Sequence, residues 1–188
     1  MIQLLRCRPR RVHRSTQILR ASGHLSADAQ QWQQRRPKLE GFKVIQDISY
    51  AGTDNARQTL DLALPIKKTA DKPLPVIAFI HGGGWRSGSK DGGLNRILSF
   101  LQSGNYAGVS IGYRLSNEAK WPAQIHDCKA AIRWVKANAV EHGLNGSKIA
   151  VYGTSAGGHL VAMLGTSAGV KAMDGSIGAY TSQSTKVA

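Results

Sequence analysis

Apolar and polar residues change rhythm several times along this chain, and each change predicts an element. Lys43–Tyr50 (KVIQDISY) and Gln58–Leu64 (QTLDLAL) alternate, as half-buried strands do. The turn-rich Ala51–Arg57 between them predicts an antiparallel hairpin or meander. After the charged, proline-bounded loop Pro65–Pro75, the unbroken apolar run Val76–Ile80 fits a central strand covered on both faces. Leu94, Ile97, Leu98 and Leu101 then recur at helical spacing, and Gly104-Asn105 stops them. Tyr106–Tyr113 is a further apolar strand. Pro122 opens the clearest helix, at a first helical position where a missing N–H costs nothing. Ile125, Cys128, Ile132 and Val135 share one face; Asp127, Lys129, Arg133 and Lys136 fall mainly on the other, and Gly143 is the expected stop. Lys148–Tyr152 is a short strand and Ser155–Leu164 a helix of small and apolar residues. The final stretch, Gly165–Ala188, has no firm periodicity.

Two opening strands followed by alternating strands and helices predict an α/β fold. The sheet is mostly parallel, with helices on both faces and an antiparallel start. The length of 188 residues suits one domain with a sizeable core. No stretch approaches the roughly 18–20 apolar residues of a membrane span.

Charge divides the chain. Residues 1–38 hold nine Lys/Arg against the single acid Asp28, more than half of the net charge of +14. They read as a basic leader, solvated or removable, preceding a domain at 39–188, and not as a nucleic-acid arm. Ala27-Asp28-Ala29 has the form of a signal cleavage site, which would direct the protein to the periplasm or outside the cell, yet the segment before it is not an apolar h-region. Coincidence, a lost upstream sequence and an Arg-rich transit peptide all stay open, and so does localisation. Cys7 and Cys128 read as unpaired thiols, and no metal-ligand spacing is present.

The pentapeptide GTSAG occurs twice, at Gly153–Gly157 and Gly165–Gly169, and both copies satisfy G-x-S-x-G. A serine on a sharp strand-to-helix turn stands exposed at the end of a sheet, and the tightness of the turn demands small flanking residues. Only the first copy has a strand before it and a helix after it. Ser155 is therefore the expected nucleophile, and Ser167 a polar residue near a helix end. About 70 residues earlier, His81-Gly82-Gly83-Gly84-Trp85 directly follows the Val76–Ile80 strand. Three glycines let backbone N–H groups turn toward a developing oxyanion.

Four motifs occur in order: HGGGW, YRLS at Tyr113–Ser116, WPAQIHDCKAAIRWV at Trp121–Val135, and GTSAGGHL at Gly153–Leu160. Over about residues 40–165 the chain resembles the α/β-hydrolases of the hormone-sensitive-lipase-like carboxylesterases, nearest to bacterial acetyl-xylan and feruloyl esterase-like (BD-FAE-type) proteins. The resemblance implies a three-layer sandwich, a carboxylic-ester hydrolase acting through acyl-Ser155, a small acyl-ester substrate and no cofactor or metal. It also implies an oxyanion hole from the N–H groups of Gly83, Gly84 and Ala156, and an Arg114–Asp127 ion pair that fixes a strand–helix junction. His81 and His159 have structural roles in this reading, and Trp85 either walls the acyl pocket or simply packs.

The family order is Ser, then Asp/Glu, then His. After Ser155 the chain offers only Asp174 and His159, in the wrong order. The expectation is a hydrolase truncated after about its fifth strand, lacking its triad acid and histidine. The rival from another class is a non-catalytic hydrolase-like protein whose basic tail binds an acidic partner. In the sheet order 1-2-4-3-5-6-7-8 implied by the resemblance, such a chain leaves Lys148–Tyr152 as an apolar open edge, a template for pairing with other chains. Low solubility and a broad unfolding transition are expected of the isolated 188-residue chain; full solubility with one cooperative transition by circular dichroism would count against it.

Overall fold

A computed structural model describes residues 39–69 and 71–188. The basic leader at 1–38, its cleavage-like site, Cys7 and the acidic-partner alternative lie outside the described residues. Five strands form one sheet: β1 (Phe42–Ser49), β2 (Thr59–Pro65), β3 (Leu74–Ile80), β4 (Ala107–Ile111) and β5 (Leu144–Gly153), in the order β1-β2-β4-β3-β5. β1 pairs antiparallel with β2, and β2 antiparallel with β4, while β3 runs parallel to both β4 and β5.

Strand alternation assigns the two faces. Val76, Ala78 and Ile80 of β3, with Val109 and Ile111 of β4, turn toward α3 (Ala123–Ala137) and α4 (Ala156–Thr166). Ile77 and Phe79 turn the other way, toward Leu94, Ile97 and Leu101 of a separate core cluster. The result is the three-layer α/β sandwich of an α/β-hydrolase. On the second face both the sheet and the helical layer carry small residues where they sit closest. A Cβ on Gly93 would lie 2.1 Å from Ser110 Oγ, and one on Gly108 2.6 Å from Leu101 Cδ1.

Several sequence expectations need correcting. The helix expected across Leu94–Leu101 is two single turns, α1 (Gly93–Arg96) and α2 (Leu98–Leu101), separated at Ile97. There the chain uses tight i→i+3 bonds, Ile97 N–H to Leu94 O and Phe100 N–H to Ile97 O, which swing the buried Ile97 onto the sheet. α3 begins at Ala123, one residue after Pro122; Pro122 is its N-cap and accepts the first helical bond from His126 N–H. Gly143 does not end α3, which stops at Ala137; at φ 64° it instead turns the chain into β5, which starts at Leu144 and not Lys148.

The largest correction concerns α3. Its charged side is not solvated: Asp127, Lys129 and Arg133 are 0%, 0% and 2% exposed. The segment after α4, including the short α5 (Lys171–Asp174), folds back over Lys129 and Arg133, while Asp127 is held by Arg114 and Gln58. Lys129 Nζ donates to Ser167 O and Asp174 Oδ1, Arg133 to the carbonyls of Asp174 and Ile177, and Lys136 to that of Lys186. Burial alone would raise the Asp174 carboxyl; hydrogen bonds from Lys129 and Thr185 outweigh it and hold the group below its ordinary range. Hydropathy marks these cations as polar, but their partners are backbone carbonyls and one carboxylate about 38–50 residues away, which no local pattern reveals.

Ala188 N–H donates to Ile149 O of β5 at 2.9 Å. Tyr152 on this strand is 45% exposed. Among the described residues no helix is long and apolar enough to cross a membrane.

Arg114 and Asp127 form the expected junction, with more partners than the sequence reading named. Asp127 accepts from Arg114 Nε (2.8 Å), Nη2 (2.8 Å) and backbone N–H (2.9 Å), and from Gln58 Nε2 (2.8 Å). Removing one member of a buried pair strands the other charge. Asp127→Ala should therefore cost about 3–5 kcal/mol in urea denaturation, and a loss below about 1 kcal/mol, the worth of an exposed pair, would show the junction is solvated.

Candidate active site

β3 and β5 run side by side and end together, with Ile80 opposite Gly153. Each is followed at once by a glycine-bearing turn, so the HGGG loop and the first GTSAG meet at the same end of the sheet. The approach is close enough to exclude side chains. A Cβ on Gly157 would lie 2.1 Å from Ile80 O and 2.7 Å from His81 O; one on Gly153 would lie 2.7 Å from Gly157 C. A Cβ on Gly82 would sit 2.7 Å from Thr154 O and 3.3 Å from Ser155 Cβ.

Ser155 takes up the strain of this turn. Its φ of 53° and ψ of −123° lie in a region that residues with a side chain rarely occupy, and it is exposed where β5 hands over to α4. Ala156, the first residue of α4, is buried, and its N–H has no acceptor within the helix. Ser167 is placed differently. It is the C-cap of α4, 5% exposed, and its hydroxyl donates to Met163 O.

Across from Ser155 the loop coils through three consecutive positive φ values, Gly83 (113°), Gly84 (60°) and Trp85 (58°). Its internal bonds converge on one carbonyl: Gly83 O accepts from the N–H groups of Arg86 and Ser87 and from the Ser87 hydroxyl. The N–H groups of Gly83 and Gly84 stay outside that set.

His81 braces the loop from below. Its Nδ1 contacts Gly82 O at 2.7 Å, its ring stacks on Tyr113 at 4.2 Å, and its own carbonyl accepts from the Tyr113 hydroxyl. Burial pushes the imidazole below its ordinary 6.5, so the neutral form with Nδ1 protonated is favoured. Its Nε2 is buried without a partner among the described residues. No hydrogen bond joins Ser155 Oγ to a histidine among those residues. His159 is exposed on the first turn of α4, its N–H bonded to Ser155 O at 3.1 Å and its ring in contact with both Trp85 and Trp121. His126 bonds Ala172 O, and His142 lies against Trp134.

Sequence reasoning assigned no role to Trp121, nor to a buried Lys90 that holds Asp47 and Asp61 at 2.6 Å each and anchors the chain just beyond the loop. Asp47 reaches Lys90 from an irregularity in β1 with φ 56°. A lysine between Ser-Gly-Ser and Asp-Gly-Gly carries no sequence signal of burial.

A strained serine between strand and helix, with a glycine loop packed on it, is an arrangement shared by many α/β-hydrolases. The BD-FAE family model matches residues 60–188. The chain belongs to the BD-FAE family. Esterase LipC of Mycobacterium tuberculosis is 40% identical over 115 residues, 61% of this chain and 28% of LipC. A truncated form of a carbohydrate esterase from gut microbiota superposes with a TM-score of 0.75 at 33% identity, covering 81% of this chain and 57% of that one. The bifunctional GH43-CE of Bacteroides eggerthii gives 0.70 at 35% identity, covering 77% and 20%. This BD-FAE chain thus spans 28% of LipC, and the residues that the family model matches, 60–188, include the glycine loop and the first GTSAG turn.

The two GTSAG copies are separable by substitution. Gly153→Ala, whose Cβ would lie 2.8 Å from Ile80 O, should cost at least about 1–3 kcal/mol from forced overpacking. Gly165→Ala, with nothing within 4 Å of its Cβ and a helical position, should be neutral or gain up to about 0.5–1 kcal/mol. Equal effects in thermal denaturation would refute the distinction.

Proposed function

We propose that the protein hydrolyses carboxylic esters through an acyl-Ser155 intermediate. The observation that carries this reading is the strained, exposed Ser155 with the glycine loop against it. Ser155 Oγ attacks the ester carbonyl, and the resulting oxyanion accepts from the N–H groups of Gly83, Gly84 and Ala156. Each such donor is worth about 2.7–4 kcal/mol in the transition state. The N-terminus of α4 adds its dipole to the same charge. Collapse expels the alcohol, and water then releases the acid.

Ser155 needs a general base to lose its proton. Asp174 is committed to Lys129 and Thr185, and His159 is held against two indoles, so neither serves. The proposal places the acid and the histidine of the triad in sequence outside these 188 residues. The substrate is a small acyl ester, carried on a plant polysaccharide; the carbohydrate-esterase neighbours support this choice.

Turnover of a short-chain p-nitrophenyl ester provides the test. In a longer protein containing this chain and its base, Ser155→Ala should fall to background, a loss on the order of 10⁶ in kcat as for other serine nucleophiles, and Ser167→Ala should stay within about twofold of the parent. The 188-residue chain and its Ser155→Ala variant should be indistinguishable. Retained turnover in the longer Ser155→Ala protein defeats the acyl-serine reading, and Ser155-dependent turnover by the short chain defeats the placement of the base.

A further inference from the structure

The glycine loop continues into a stretch that is tied down by the first two strands. Lys90, 5% exposed, donates from Nζ to Asp47 Oδ1 and Asp61 Oδ1, and its carbonyl accepts from Ser110 Oγ at 2.7 Å. β1 leaves its regular register to make this pair. The shift lies between Ile45 and Ile48, Asp47 holds φ at 56°, and its N–H donates to Asp61 Oδ1 at 2.9 Å. A non-glycine residue is uncommon at such a φ and stays there only when its surroundings over-determine it. Just before Lys90, Gly88 has φ 91° and carries a second anchor, Arg57 Nη1 on its carbonyl at 2.9 Å. Arg57 comes from the turn between β1 and β2 and is itself paired with Glu118 at 3.3 Å. Gly88 presses on the loop: a Cβ there would lie 2.6 Å from Gly82 O and 2.7 Å from His81 Nδ1. A cavity of about 190 Å³ adjoins these groups, with Asp47, Arg57, His81, Lys90 and Tyr113 in its lining. On that side, directed polar contacts hold Gly88 in place more than close packing does.

Gly82 C=O and Gly83 N–H belong to one planar, trans peptide and point in opposite directions. Whatever fixes the carbonyl therefore aims the N–H. We propose that Lys90 is a positioning residue for ester hydrolysis: by seating Gly88 against Gly82 O, it aims the Gly83 N–H at the oxyanion. This rests on the esterase reading and adds to it a residue that acts only through the backbone of the loop. His81 contacts the same carbonyl from within the loop, whereas Lys90 acts from beyond it and is held there by Asp47 and Asp61. A displaced donor costs rate and not substrate binding, because the charge it meets develops only in the transition state.

The test uses p-nitrophenyl ester kinetics of the longer protein, with its Ser155-dependent turnover as the baseline. Lys90→Met should lower kcat by about 10–10²-fold, the scale of a small misplacement at a reacting centre, with KM within about twofold. Lys90→Arg, which can still bridge two carboxylates, should recover most of the loss. The inhibition constant of a trifluoromethyl ketone, which forms the oxyanion adduct, should weaken in step with kcat/KM. Lys129→Met, at a buried lysine paired with Asp174, should lower the thermal midpoint while kcat stays within about twofold of the parent. Should Lys90→Met fail to fold, Asp47→Asn, at a side chain 60% exposed, tests the same link and should lower kcat at least about threefold. A kcat for Lys90→Met within about twofold of the parent, a loss no larger than that of Lys129→Met, or a change confined to KM would overturn the proposal. So would an unchanged kcat in Asp47→Asn where that variant stands in. Failure of the acyl-serine reading shows separately, as turnover retained by Ser155→Ala.

Discussion

Everything at this site depends on one close approach of backbone to backbone. The end of β3 lies against the start of α4 so tightly that Ile80 O and His81 O occupy the space a Cβ on Gly157 would need. Glycine at 157, 153 and 82 is the condition for that approach. Once it is made, the glycine loop and the serine turn have little freedom left. Ser155 is forced into a strained conformation, and its side chain stands clear of the sheet end. Because β3 and β5 are neighbours in the sheet, both turns are presented on the same edge without any long-range device beyond the parallel ladder.

A second layer of polar contacts holds this geometry from behind. The neutral His81, stacked on Tyr113, supports the first glycine of the loop. Lys90 fixes the chain beyond it to Asp47 and Asp61. Asp127 gathers Arg114 and Gln58, joining the end of β4, the start of β2 and α3 through a single carboxylate. Lys90, Asp61 and Asp127 are buried, and each is held by a partner far away in sequence. Of the buried side-chain polar atoms described, only His81 Nε2 and Arg133 Nε lack a partner.

The helical side of the molecule shows how amphipathicity can mislead. On α3 the apolar stripe of Ile125, Cys128, Ile132 and Val135 does meet the sheet. The opposite stripe reads as solvent-facing because Lys and Arg are rarely buried without partners. Here the partners exist: the segment following α4 offers Ser167 and Asp174 to Lys129, and two carbonyls to Arg133. A stretch without periodicity therefore becomes a covering layer fixed by charge-assisted hydrogen bonds.

The sequence by itself determined the five strands and the two long helices, the α/β class, and the unequal standing of the two GTSAG copies. Those properties are written in short-range signals: alternation within a strand, glycine spacing around a turn, and a strand before one pentapeptide but not the other. It left open where helices break and strands begin, as at Ile97 and Leu144, because hydrogen-bond geometry there answers to the neighbouring layer. Tertiary structure alone decided that Trp85, Trp121 and His159 converge beside Ser155, and that Lys90, Lys129 and Arg133 are buried. The reason is the same in each case. Convergence and burial are properties of pairs of residues brought together by the sheet order, and a periodicity read along one segment contains no information about what another segment will place against it.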